Sequence, residues 1–142
     1  MCSMVTPAQI ESTLGRNVQA PKVRDTTSAT TCTYNATDRS RPLDAVIIGF
    51  RGHVTSTVAS AELATLTKLH GTVTNVTGTG VQAYYYSVGS GARTVTTLVS
   101  LVGETQVTVT STATAAQAEA LSTQIFQSFA NDASTTTTTS SG

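Results

Sequence analysis

Between Gly80 and Thr112 the chain reads GVQAYYYSVGSGARTVTTLVSLVGETQVTVTST, three alternating runs separated by two short breaks. A two-residue period sends successive side chains to opposite faces of a strand. In Val81 to Val88, Tyr84, Tyr86 and Val88 therefore share one face, and Ala83 and Tyr85 the other. Gly89-Ser90-Gly91 breaks the run. From Arg93 to Leu101, Val95, Val99 and Leu101 lie on one face, with Thr94, Thr96 and Leu98 mainly on the other. After a turn at Gly103-Glu104, Gln106 to Thr112 turns Val107 and Val109 inward and Thr108 and Thr110 outward. Breaks this short exclude a parallel crossover, so the three runs must form an antiparallel meander.

The remaining elements are read around that meander. Thr6 is a suitable N-cap, Pro7 suits the first helical position, and Gln9 completes a capping box. Ile10 and Leu14 form the buried stripe of this first helix, and Gly15 ends it. Residues 16–31 carry Pro21, scattered charge and a Thr/Ser cluster, which predicts a loop with at most a short extended piece near Val18 or Val23. Cys32-Thr33-Tyr34 is the first firm strand. Asn35 to Pro42 is polar turn material. Asp44 to Arg51 places Val46, Ile48 and Phe50 on one face and Ala45, Ile47 and Gly49 on the other; both faces are apolar, so it is expected to be central.

A second helix is expected over Thr57 to His70, with Ala59, Leu63, Leu66 and Leu69 at helical spacing and Gly71 as its stop. A short strand could fall at Thr72 to Asn75. Thr114 to Ala130 is the clearest helix, capped by Thr114 with Gln117 and carrying Ala118, Leu121, Ile125 and Phe129 at helical intervals, with Phe126 widening the stripe. Residues 131–142, ending STTTTTSSG, have no apolar anchor and are expected to be disordered. The expectation is a single α+β domain over residues 1–130, an antiparallel sheet packed against N-terminal, middle and C-terminal helices.

Composition narrows the function classes. Charged residues make up only 11% of the 142-residue chain, and the formal net charge is zero. A soluble domain averages about a quarter charged residues, and here Thr and Ser fill the deficit. Arg16, Lys22, Arg24, Arg39, Arg41 and Arg51 cluster in the first half, but Glu11, Asp25, Asp38 and Asp44 are interleaved with them, which argues against nucleic acid as a partner. No run of some twenty apolar residues exists for a membrane span, and no basic-then-apolar leader precedes residue 10. An export signal would lie outside this sequence.

Cys2 and Cys32 are the only cysteines. An even count in a Thr/Ser-rich, Lys-poor chain fits a disulfide in an exported protein, two buried thiols and a lipid-bearing Cys2 being the alternatives. His53 and His70 lack the nucleophile, carboxylate or further ligands that a catalytic or metal role needs, and His70 would complement a helix dipole. The sequons Asn35-Ala36-Thr37 and Asn75-Val76-Thr77 arise readily by chance in a Thr-rich chain. Gly78-Thr79-Gly80 and Gly89-Ser90-Gly91 lack the Lys-Ser/Thr of a P-loop and read as turns. No catalytic residue, metal or cofactor is expected. Tyr85 and Arg93, with Arg51 in support, are the candidate ligand-binding residues, because an aromatic beside a guanidinium is a common surface anchor.

Cys2 through Gly15, Cys32-Thr33-Tyr34, Val76 through Tyr84, a hairpin and a closing amphipathic helix together resemble the exported lipoprotein domains of actinobacteria. These include families of unknown function and, more distantly, the extracytoplasmic sensor domain of the PknH-type serine/threonine kinase. The resemblance implies an antiparallel sheet backed by helices, a bond from Cys2 to Cys32, and residence outside the cytoplasmic membrane. It carries no active site over to this chain, which has one cysteine pair where those sensor domains have two and which has no kinase part. The function so implied is a non-enzymatic cell-envelope binding module for a small molecule, glycan or partner protein, with membrane attachment through a lipid anchor outside this sequence. The alternative is a structural or accessory domain without a pocket; a hydrolase would need His53 or His70 beside both a hydroxyl and a carboxylate.

Overall fold

The computed structural model describes Cys2 and residues 5–70, 73–76, 82–89 and 91–141. The elements follow in the order α1 (Pro7–Leu14), β1 (Lys22–Asp25), β2 (Ala29–Tyr34), β3 (Val46–Arg51), α2 (Ser56–His70), β4 (Thr74–Val76), β5 (Gln82–Val88), β6 (Val95–Val102), β7 (Thr105–Ser111) and α3 (Ala115–Ser141). Single 3-10 turns at Pro42–Asp44 and Gly91–Arg93 precede β3 and β6. The strands form one seven-stranded sheet in the order β1-β2-β3-β7-β6-β5-β4. Every pairing is antiparallel.

The antiparallel meander is present, with Tyr84 opposite Val99 and Val99 opposite Thr108. Its chain neighbours differ from its sheet neighbours at one point. β7 returns to pair with β3, Ile48 lying opposite Val109, so the N-terminal and C-terminal halves share a single sheet.

One face of the sheet carries the main core. Val46, Ile48, Phe50, Leu98, Val107 and Val109 meet Ile10 and Leu14 of α1 and Ala118, Leu121 and Ile125 of α3. Full burial of Leu121 and Ile125 contributes about 1.5 to 3 kcal/mol each, which docks α3 on the sheet. Local chemistry fixes where both helices start. Thr6 accepts from the Gln9 backbone while the Gln9 side chain accepts from the Thr6 N–H, and Gly15 closes α1 with φ 67°. Thr114 and Gln117 exchange the same pair of bonds at the start of α3. α3 runs on to Ser141, through the Ser/Thr run where the sequence alone suggested disorder from residue 131. Adding a residue to an existing helix is far less costly than starting one, so the helix can outrun its apolar stripe.

The other face is covered only in part. α2 crosses it at one end, where Glu62 takes hydrogen bonds from Arg51 and from Gln106. Val54, Ala59 and Leu101 form a small separate cluster there. Ile47, on the same face of β3, remains 42% exposed. Thus β3 is interior to the sheet, as expected, but its second face is not fully covered: α2 lies toward the Arg51 end and stops short of Ile47. α2 itself is loosely seated, since Ala59 is buried while Leu69 is 72% exposed. The Gly71 stop lies outside the described residues.

At the N-terminal edge β2 begins at Ala29 rather than Cys32, and the short extended piece expected near Val23 is Lys22–Asp25, an edge strand paired to it. All four residues of β1 are exposed. Charged edge strands protect a sheet from further pairing. Cys2 and Cys32 are joined by a disulfide, with Cα atoms 5.7 Å apart. The bond ties the chain ahead of α1 to the buried face of β2, and it excludes both the free-thiol alternative and a thioether lipid on Cys2 in this state. A disulfide is the usual property of proteins folded in oxidising compartments.

Candidate functional site

The turns Pro42–Asp44 and Gly91–Arg93, with the start of β6 and the segment from β7 to α3, enclose a concavity of the described surface. It begins with a series of tied turns. The Asp38 carboxylate accepts from the Ser40 N–H at 2.9 Å and from its hydroxyl at 2.6 Å. These two hydrogen bonds, with Arg41 nearby, hold the Asp38 carboxyl below its usual value. Arg41 N–H donates to the Asp38 carbonyl, and Asp44 N–H to that of Arg41. The turn Pro42–Asp44 is then fastened to the rest of the molecule. The Thr112 hydroxyl donates to the Leu43 carbonyl at 3.3 Å, and Arg16 Nε donates to Thr112 Oγ1 at 3.1 Å. Arg16 Nε also lies 3.7 Å from Asp44 Oδ1. Its Nη1 reaches the carbonyls of Leu14 and Gly15, where a cation complements the C-terminal end of α1.

The opposite wall is the β5–β6 connection. Gly89 has φ 98° and Gly91 φ 59°, conformations that glycine adopts without steric cost. A Cβ on Gly89 would lie 2.5 Å from the Arg93 carbonyl oxygen, so this turn closes only over a glycine. Thr94 N–H and hydroxyl both donate to the Gly91 carbonyl. Arg93 is thus carried on a short turn with little freedom.

Between the walls lies a cavity of about 570 Å³ bordered by Ser40, Arg41, Pro42, Leu43, Asp44 and Arg93. A second, of about 450 Å³, shares Leu43 and Asp44 and continues along Thr94, Thr96 and Thr112. Arg16 pairs with Asp44, while Arg41 acts on Asp38 only at longer range. Among the described residues neither Arg41 nor Arg93, which border the same lobe, forms an ion pair, so the cleft holds two guanidinium groups without a carboxylate partner.

The three residues singled out from the sequence do not meet. Arg93 borders the cleft. Tyr85 lies on the α3-covered face and packs against the main core, so its ring is spent on packing. Arg51 ends β3 at the opposite end of the strands, across from Gln106, and forms an ion pair with Glu62. The buried aromatic of the tyrosine triplet is Tyr84, on the face under α2, and its hydroxyl has no hydrogen-bond partner among the described residues. Burial first, then the negative charge of Glu62 and the neighbouring Tyr86, push its pKa up to about 12. For Glu62 burial also raises the pKa, but hydrogen bonds from Gln106 and Arg51 and the charge of Arg51 outweigh it and hold the carboxyl below the ordinary glutamate value.

His53 adopts φ 59° and borders a smaller cleft of about 200 Å³ with Thr26, Ser28 and Thr105. It makes no hydrogen bond to a hydroxyl or a carboxylate among the described residues, so a hydrolase gains no support from it. The His70 side chain and Gly78-Thr79-Gly80 lie outside the described residues. Arg16, Arg41 and Asp44 were not singled out from the sequence; the only signal was the interleaving of opposite charges before residue 51.

No known protein family, curated protein or solved structure matches this chain.

Proposed function

We propose that this chain is a non-catalytic binding module of the cell envelope that takes a small molecule or glycan in the cleft between the turns Pro42–Asp44 and Gly91–Arg93. The observation that carries the reading is the cleft itself. Its larger lobe, about 570 Å³, falls within the range of about 300 to 1,000 Å³ typical of ligand sites. Its walls are turns tied by hydrogen bonds at Ser40, Asp44 and Thr94, which lowers the ordering required when a ligand enters. The disulfide between Cys2 and Cys32 supports residence in an oxidising compartment. The resemblance to exported lipoprotein domains points to the envelope, with any membrane anchor outside this sequence.

The test is a binding screen of envelope glycans and small polar fragments against the oxidised protein and an Arg93→Gln variant. The reading expects saturable binding that the substitution weakens. Absence of saturable binding to the wild-type chain would favour the competing reading, a structural or accessory envelope domain that needs no pocket.

A further inference from the structure

The two lobes of the cleft differ in chemistry, and that difference selects a class of ligand. In the larger lobe the Arg93 guanidinium stands beside an apolar ledge of Pro42 and Leu43, the latter 46% exposed. The adjoining lobe is lined by the hydroxyl-bearing residues Thr94, Thr96, Thr112 and Thr114. Arg16 pairs with Asp44, which leaves Arg41 and Arg93, both bordering the larger lobe, without an ion-pair partner among the described residues. A guanidinium presents parallel N–H donors that fit the two oxygens of a carboxylate.

We infer that the cleft binds an acidic saccharide: a carboxylate-bearing sugar whose carboxylate pairs with Arg93, whose ring packs on Pro42 and Leu43, and whose remaining hydroxyls extend along the threonine-lined lobe. This inference rests on the binding-module reading and names the ligand class for the same site. A phosphate ion can meet the guanidinium groups but has no ring to pack on Pro42 and Leu43. A neutral sugar leaves Arg93 without its partner.

The experiment is isothermal titration of the oxidised full chain with sodium D-glucuronate, D-glucose and inorganic phosphate at pH 7, repeated for Arg93→Gln and Arg93→Lys. Arg93 is exposed on a turn, and thermal melts of both variants serve as the folding control. Glucuronate is expected to bind at least tenfold more tightly than glucose or phosphate. Arg93→Gln should weaken glucuronate about tenfold or more without affecting glucose, Arg93→Lys should weaken it less, and added salt should weaken only the glucuronate complex. Glucose binding as tightly as glucuronate, with sensitivity to cleft substitutions, would overturn the acidic class while leaving a glycan-binding module standing. Phosphate binding more tightly than glucuronate would overturn it in favour of a phosphorylated ligand. If none of the three binds saturably, the acidic-saccharide inference falls, and a broader screen that also fails removes the binding-module reading with it.

Discussion

The Tyr34 hydroxyl donates to the Val5 carbonyl oxygen across 2.6 Å, with the Cys2 carbonyl at 3.2 Å. This bond closes the same loop that the disulfide closes, and it lies in the buried core. Removing the hydroxyl leaves a buried carbonyl without its donor, at a cost of about 1 to 3 kcal/mol. Tyr34→Phe should therefore lower the unfolding free energy in urea by that amount. Tyr84→Phe removes a buried hydroxyl that has no partner and should leave stability unchanged or raised. Equal losses from the two substitutions would contradict the assignment.

The same two hydroxyls set an alkaline limit. Burial pushes both pKa values up to about 12, against about 10 in the unfolded chain. Above pH 10 the unfolded chain releases these protons first, so their stabilising contribution is complete below that pH and is lost as pH rises toward 12. Urea midpoints measured from pH 8 to 11.5 should fall above pH 10, and the fall should be shallower in either Phe variant.

Reduction of the Cys2–Cys32 bond should release the segment ahead of α1. The bond spans 30 positions, for which chain entropy gives a stabilisation of about 3 to 4 kcal/mol. Denaturation with and without a thiol reductant measures it directly. Unchanged stability on reduction would show that α1 and the Tyr34 bonds hold that segment alone.

α2 should be the first element to open. It is docked through Glu62 to Arg51 and Gln106, and it buries little apolar surface. The ion pair is partly solvent-exposed, so Glu62→Ala should cost about 1 kcal/mol or less in global stability. Amide exchange in α2 should nonetheless rise well before exchange in β3 or β7. Because Glu62 is held below its ordinary pKa when folded, its contribution is present above the usual glutamate range and is lost as pH falls through the lower folded value.

Much of this architecture was legible in the sequence wherever short-range chemistry decided it. The capping box of Thr6 and Gln9, the Gly15 stop and the alternation from Tyr84 to Val109 each depend on neighbours a few positions away. β1 was legible only as a short extended piece near Val23, because an exposed edge strand such as Lys22–Asp25 has no buried face to leave a pattern. The site was harder to read. Alternation separates Tyr84 from Tyr85 but does not say which face a helix covers, or how fully. Arg51 and Arg93 looked like possible partners until the pairing of β3 with β7 placed Arg51 beside Gln106, at the far end from the Gly89 turn. Asp44, Arg16 and Thr112 meet only through that long-range pairing, and no local spacing announces it.

Gly89→Ala probes the positioning of Arg93 without touching any cleft side chain. The added Cβ would meet the Arg93 carbonyl at 2.5 Å, so the turn must shift. Glucuronate affinity should fall about tenfold, while the sheet melts within a few degrees of the wild type. Full affinity in this variant would mean that the turn does not position the ligand contact.

The most direct measurement is an amide chemical-shift titration of the isotope-labelled, oxidised chain with sodium glucuronate. The account predicts shifts concentrated at Ser40, Arg41, Leu43, Asp44, Arg93 and Thr94, with the α2 amides unmoved. Shifts centred on α2 or on β1, or none at millimolar ligand, would contradict it.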